Sequence, residues 1–119
     1  MFINLRINEI LLKLNNNNIF DLENTTIVIT GAAGLLGSEY ALGLSKLGAN
    51  VVLADVDFEK CKILEKKIKA LHDTDPLTVK VDLTKKSSIV QMVSKIVTKY
   101  KKIDVLINNA AYQGNDKID

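Results

Sequence analysis

The run TTIVITGAAGLLG, residues 25–37, is the feature that most constrains what this chain can fold into. Its first six residues are a continuous β-branched and apolar stretch, the composition of a strand covered on both faces. Gly31, Gly34 and Gly37 follow at once, and a helical pattern starts among them. Leu36, Tyr40, Ala41, Leu44 and Leu47 recur at helical spacing until Gly48 stops the pattern. A doubly covered strand that turns straight into a helix implies a parallel sheet, because parallel neighbours need a crossover long enough to hold a helix.

The same unit recurs. NVVLAD (50–55) predicts a second buried strand, and residues 58–71 a helix with Phe58, Cys61, Leu64, Ile68 and Leu71 on one face. LTVKV (77–81) predicts a third strand after the turn HDTDP. Thr84 stands where it can cap a third helix, whose Ile89, Met92, Val93, Ile96, Val97 and Tyr100 keep i, i+3, i+4 spacing. IDVLIN (103–108) predicts a fourth strand. Three strand–helix units and a closing strand predict an α/β fold: a partial doubly wound, Rossmann-like parallel sheet in spatial order 3-2-1-4, with helices on both faces.

The chain has 119 residues, which suffices for one small core. Residues 24–119 carry the domain pattern, and residues 1–23 read as an appendage. Within the appendage Ile3, Ile7, Ile10, Leu11 and Leu14 have helical spacing and Asn15–Asn18 end it; a docking helix and a poorly ordered leader both fit. The net charge of +2 supplies no field for nucleic acid. No apolar run approaches the roughly 20 residues that span a membrane. Arg6, Glu9 and Lys13 interrupt the N-terminal stretch, which lacks the features of a signal peptide. The single Cys61 cannot form an internal disulfide, so the expected compartment is reducing and cytoplasmic, with no nucleic-acid and no membrane partner.

The glycines sit where a ligand's phosphates would need close approach of backbone, and the helix start behind them offers unpaired N–H groups and a favourable dipole. A tight turn without a ligand is the plainer reading of the triplet. Its place between strand and helix favours a dinucleotide. Asp55 ends the second strand, where a carboxylate can accept bonds from adenosine ribose hydroxyls and repel a 2′-phosphate, so NAD is expected in preference to NADP. A plain turn residue is the alternative. Asp57 is placed to cap the helix that follows. Asp82 can meet an adenine amino group with Leu83 over the ring, or Asp82 can merely shape the turn before Thr84. NNAA (108–111) can bring backbone to the ribose where the sheet order reverses. His72, the one histidine, lies in a turn, and Cys61 on an apolar stripe, so neither a metal site nor a histidine-based triad is expected.

TGAAGLLG (30–37), Asp55, VDLT (81–84) and NNAA (108–111), in this order and approximate spacing, resemble the short-chain dehydrogenase/reductase family over residues 25–113. The resemblance implies an oxidoreductase that uses NAD or NADP on alcohols and carbonyls. It implies that Gly31, Ala32, Gly34, Leu35, Leu36 and Gly37 form the pyrophosphate loop and that Asp55 holds the ribose. Asp82 and Leu83 would frame the adenine, and Asn109 and Ala110 would approach through backbone. Leu35 replaces the middle glycine of the family's main branch, and Gly34 gives the T-G-x-x-G-x-x-G spacing of its extended branch, which often acts on nucleotide sugars. Ala111 stands for the last glycine of the main branch's N-N-A-G, and the mixture resembles bacterial members associated with surface-sugar biosynthesis. The family's catalytic tyrosine precedes a lysine by four residues. Here Tyr40, Tyr100 and Tyr112 are followed at that distance by Leu44, Asp104 and Asp116, and Lys117 is one place too far from Tyr112. No catalytic residue is assigned. The expectation is the N-terminal half of such an oxidoreductase, inactive alone, binding a dinucleotide and pairing in a homo-oligomer or with a complementing C-terminal half. A non-catalytic nucleotide-sensing module and a non-functional fragment are the alternatives.

Overall fold

A computed structural model describes residues 21–111. The stretch from Ile3 to Leu14, the asparagine run and everything from Tyr112 onward lie outside the described residues. Strands β1 (Thr26–Thr30), β2 (Asn50–Asp55), β3 (Leu77–Lys80) and β4 (Val105–Ile107) form one sheet in the order β3-β2-β1-β4, every pair parallel. Helices α1 (Leu35–Lys46), α2 (Phe58–Leu71) and α3 (Lys86–Tyr100) connect them. The 3-2-1-4 order expected from the alternating pattern is the order found.

Alternation along the strands divides the core in two. Ile27, Ile29, Val51 and Leu53 point to one face and pack with Ala41 of α1 and Cys61, Leu64 and Ile68 of α2. Val28, Val52, Ala54 and Val79 point to the other and pack with Met92 and Ile96 of α3. Fully buried side chains such as Ile29 and Leu53 each contribute about 1.5–3 kcal/mol relative to exposure.

The face of α1 differs from the expected stripe. Its buried residues are Gly37, Ala41 and Ser45, one per turn, while Leu36 and Tyr40 are exposed. Small side chains let the helix backbone settle close to the sheet, so the contact carries almost no hydrophobic periodicity. On α2 the centre of the expected stripe (Cys61, Leu64, Ile68) is buried, whereas Phe58 and Leu71 at its ends are exposed. Asp57 caps α2 as expected: its carboxylate accepts the Lys60 N–H at 3.1 Å. Thr84 does not cap α3; its hydroxyl donates to Asp82 at 2.6 Å, and Lys85 is the cap residue.

The two outer strands finish differently. Beside β3, the buried Glu65 of α2 accepts the Thr78 hydroxyl at 3.3 Å and pairs with Lys62 and Lys69. Asp75, in the lead-in to β3, pairs with Lys69 at 3.4 Å and with Lys99 of α3 at 2.8 Å, and its carbonyl accepts the Tyr100 hydroxyl. Beside β4 the neighbours are apolar and open: Val105 and Leu106 are 42% and 53% exposed. β4 is shorter than the expected 103–108 and is held at its entry by Asp104, whose carboxylate accepts the Thr26 N–H at 2.7 Å. That bond first, and Lys102 second, hold the Asp104 carboxyl below the usual carboxylate range.

Candidate functional site

β1 lies between β2 and β4, and its connection to β2 runs away from β4, so the chain order reverses at the carboxyl end of β1. A crevice at such a reversal is where an open α/β sheet receives ligands. The glycine loop, the end of β2 and the segment after β4 meet there.

The loop glycines serve different ends. Gly31 has a positive φ of 66°, and a Cβ on it would stand 2.9 Å from the Cα of Ala110. A Cβ on Gly37 would stand 2.3 Å from the Gly31 carbonyl oxygen and 2.8 Å from the Cα of Ala32. Both are thus required by the chain's own backbone. Gly34 is less constrained: it is exposed, has an ordinary φ of −76°, and its Cβ would press tightly on the Gly31 oxygen alone, at 3.3 Å. Gly34 is the cap residue of α1, which has no side-chain cap and no acidic residue in its first turn. α2, by contrast, has Asp57 as cap and Glu59 in its first turn. First-turn N–H groups lack partners within a helix, so the start of α1 can receive an anion that the start of α2 would refuse.

Asp55 faces this loop. One carboxylate oxygen accepts the Ala33 N–H at 3.0 Å and the other accepts the Asp57 N–H at 2.9 Å. A carboxylate has about four acceptor sites, so two remain for hydroxyl donors. The cleft beyond it, about 660 Å³, is lined by Val56, Asp57, Phe58, Glu59 and Lys80. Lys80 is the register partner of Asp55 on β3.

Across the crevice, Asn109 donates through Nδ2 to the Gly31 carbonyl at 3.2 Å. The Thr30 hydroxyl joins the two sides: it accepts the N–H groups of Asn109 and Ala110, both at 3.1 Å, and donates to the Ile107 carbonyl at 3.3 Å. Sequence reading passed over Thr30, which looks like an ordinary strand residue; its place directly before the first glycine was the available signal. Ala32 is buried, with its N–H on the Ala54 carbonyl, whereas Leu35 and Leu36 are exposed on the first turn of α1.

Asp82 and Leu83 lie past the end of β3. The Asp82 carboxylate accepts both the N–H and the hydroxyl of Thr84, at 3.0 and 2.6 Å, and its own N–H donates to the Ser88 hydroxyl. The Thr84 bonds hold its carboxyl below the usual range. Asp82 thus shapes the turn into α3, and Leu83 is exposed beside it. The Cys61 thiol is pushed up to about 12, by burial first and then by Asp55 and Asp57, which suits packing rather than nucleophilic chemistry. Among the described residues no cluster of His, Cys, Asp and Glu could hold a metal ion, and no helix is long and apolar enough to cross a membrane.

The family model described as short chain dehydrogenase matches residues 25–119. A short chain dehydrogenase/reductase of Gibberella zeae is 39% identical over 90 residues, covering 76% of this chain and 33% of that protein. Retinol dehydrogenase 13 of Mus musculus is 36% identical over 88 residues, covering 72% and 26%. Among solved structures, the 3-ketoacyl-(acyl-carrier-protein) reductase of Brucella melitensis complexed with NADH superposes with a TM-score of 0.69 at 32% identity, over 76% of this chain and 35% of that one. The L-sorbose reductase of Gluconobacter frateurii complexed with NADPH and L-sorbose gives 0.76 at 26% identity, over 82% and 37%. This chain therefore spans about a third of the length of the relatives it matches. With the sheet order, the glycine loop and a matched region running through most of its length, the chain belongs to the short-chain dehydrogenase family.

Proposed function

We propose that this chain forms the dinucleotide-binding part of an oxidoreductase that interconverts an alcohol and a carbonyl compound, with NAD preferred over NADP. The observation that carries the reading is Gly34: a glycine that the chain's own packing constrains less than Gly31 or Gly37, at the exposed and uncapped start of α1. Gly34 and the N–H groups of Leu35 and Leu36 would hold the pyrophosphate, in a cradle shaped by Gly31, Ala32 and Gly37. Asp55, already oriented by two N–H donors, would take the ribose hydroxyls with its remaining acceptor sites. Asp82 and Leu83 would border the adenine, and Asn109 and Ala110 would face the second ribose through backbone. When bound, the nicotinamide donates or accepts the hydride.

NAD preference rests on charge. Asp55 stands at the expected 2′ position, and the adjoining cleft is lined by Asp57 and Glu59 against the one cation of Lys80. The extended-branch glycine spacing and the L-sorbose-binding neighbour support a carbohydrate substrate. No tyrosine in the sequence precedes a lysine by four residues, so residues 1–119 alone should bind cofactor without turning over substrate.

Titration calorimetry on the full chain tests the reading. Gly34→Val should keep the circular dichroism spectrum and weaken NAD binding at least tenfold, roughly 1.4 kcal/mol. A folded variant with unchanged affinity would refute the site. Asp55→Ala should narrow the gap between NAD and NADP, and a wild-type chain that prefers NADP would overturn the assignment of Asp55.

A further inference from the structure

We infer that the outward face of α1 is the seat of this chain's own N-terminal segment: residues 3–14, which lie outside the described residues, dock there as a helix parallel to α1. The inference stands apart from the cofactor reading.

α1 meets the sheet through Gly37, Ala41 and Ser45, and its large apolar side chains lie elsewhere. Leu36, Tyr40, Gly43, Leu44 and Leu47 recur at i, i+4, i+7, i+8 and i+11, which gathers them on one stripe of the helix and its cap. Leu36 is 59% exposed and Tyr40 41%, Gly43 is exposed, and Leu44 and Leu47 are half-buried. A helix on a globular domain ordinarily turns its apolar stripe inward; α1 turns the small residues inward and the stripe outward. Gly43 adds an independent sign. Its φ is negative and a Cβ on it would meet nothing within 4 Å, so neither its backbone nor the described packing calls for a residue that weakens a helix interior. At the centre of an apolar stripe, a glycine admits close approach of a second backbone.

Three observations select the occupant. Ile3, Ile7, Ile10, Leu11 and Leu14 also recur at i, i+4, i+7, i+8 and i+11, so the two stripes match position for position, with Ile10 opposite Gly43. As a helix, residues 3–14 would be roughly 18 Å long, the length of the 12-residue α1. The chain also enters the fold at the right place. Leu22 and Leu44 pack on the same core cluster, and the Leu22 N–H donates to the Leu47 carbonyl at 3.0 Å, at the C-terminal end of α1. Residues 15–21 need to cross only the roughly 8–10 Å between packed helices, well within their extended reach of about 23 Å. That connection sets Leu14 beside Leu47 and makes the two helices parallel. So short a tether holds the segment at about millimolar effective concentration, ahead of a free second copy.

The test is hydrogen exchange on the full 119-residue chain and its variants, over a range of protein concentrations. The amides of residues 7–14 should exchange at least tenfold more slowly than in a peptide of residues 1–20. Tyr40→Asp and Leu47→Asp should each remove that protection by placing a charge in the apolar contact. Gly43→Gln should remove it too, while the amides of β2 stay protected, because its side chain enters open space in the described fold. Ile63→Asp, on the exposed side of α2, should keep the protection. Exchange at 7–14 as fast as in the free peptide overturns the inference. So does protection that survives Gly43→Gln, or protection lost equally in Ile63→Asp. Protection that fades on dilution overturns it as well, and assigns the face to a second copy.

Discussion

The two edges of this sheet are made of opposite materials. The β3 edge is closed by charge: Glu65 receives Thr78, Lys62 and Lys69, and Asp75 draws Lys69 and Lys99 together so that α2 and α3 clasp the lead-in to β3. The β4 edge presents Val105 and Leu106 to solvent; beyond its ladder to β1 it carries side-chain bonds at its two ends, from Asp104 at the entry and Thr30 at the exit. Charged, bonded edges are how proteins finish a sheet against water, and apolar ones are how they continue it. The contrast teaches that one four-stranded sheet can carry a charge-bonded edge along β3 and an apolar, exposed seam along β4.

The largest effect should come from the centre that both edges share. Leu53→Ala, at a fully buried β2 position, should destabilise the domain by about 2–5 kcal/mol in urea unfolding, whereas Leu106→Ala should cost under about 0.5 kcal/mol. Similar costs at the two sites would erase the distinction between interior and seam. Next, Thr30→Val keeps the side-chain shape but strands the N–H groups of Asn109 and Ala110. It should cost about 1–3 kcal/mol and speed amide exchange at residues 107–110 more than at β3. Uniform acceleration along all strands would mean that the hydroxyl does not specifically hold the seam.

Glu65→Gln probes the other edge and should cost about 1–2 kcal/mol at neutral pH. Burial opposes ionisation of Glu65, but the bonds and charges of Lys62 and Lys69 outweigh it and hold the carboxyl below its usual value. A carboxyl lowered in the folded state stabilises above its unfolded value near 4.3 and loses that contribution as the pH falls through the lower folded value. The wild type should therefore lose melting temperature on acidification below about pH 4 more steeply than Glu65→Gln. Parallel acid limbs would show that the network contributes nothing. The smallest effect on stability is expected for Leu106→Lys, within about 0.5 kcal/mol, with a gain in solubility at the seam.

Legibility in the sequence followed the range of the forces at each place. β2 and the span of α2 could be read directly, because residues 51–54 within β2 are a continuous apolar run and α2 sets lysines against Cys61, Leu64 and Ile68. The 3-2-1-4 order followed from reading the alternation as a doubly wound nucleotide fold. The buried face of α1 could not be read, since Gly37, Ala41 and Ser45 make contact by being small. At the site, Asp55 was found from its position at a strand end. Its bond to Ala33 spans 22 residues and the bonds of Thr30 to Asn109 and Ala110 span 79 and 80, distances at which local pattern carries no information. The division among the glycines was equally hidden, because Gly31 is dictated by Ala110 and Asn109, which only the fold brings near, and Gly37 by the way the loop folds back on the Gly31 carbonyl and Ala32.

The parallel register also has a consequence for the order of assembly. Ile27 meets Val51 after a loop of 24 residues but meets Val105 only after one of 78, and closing the longer loop costs roughly 1 kcal/mol more in chain entropy. The gain at β4 is three paired residues, two of them exposed. β1, α1 and β2 should therefore condense first during synthesis, with β4 the last strand to arrive and the first to leave. Asp104 and Thr30, one at each end of β4, then act as a pair of late-closing latches, and their bonds should be absent from the folding transition state and govern how fast the native state opens rather than how fast it forms.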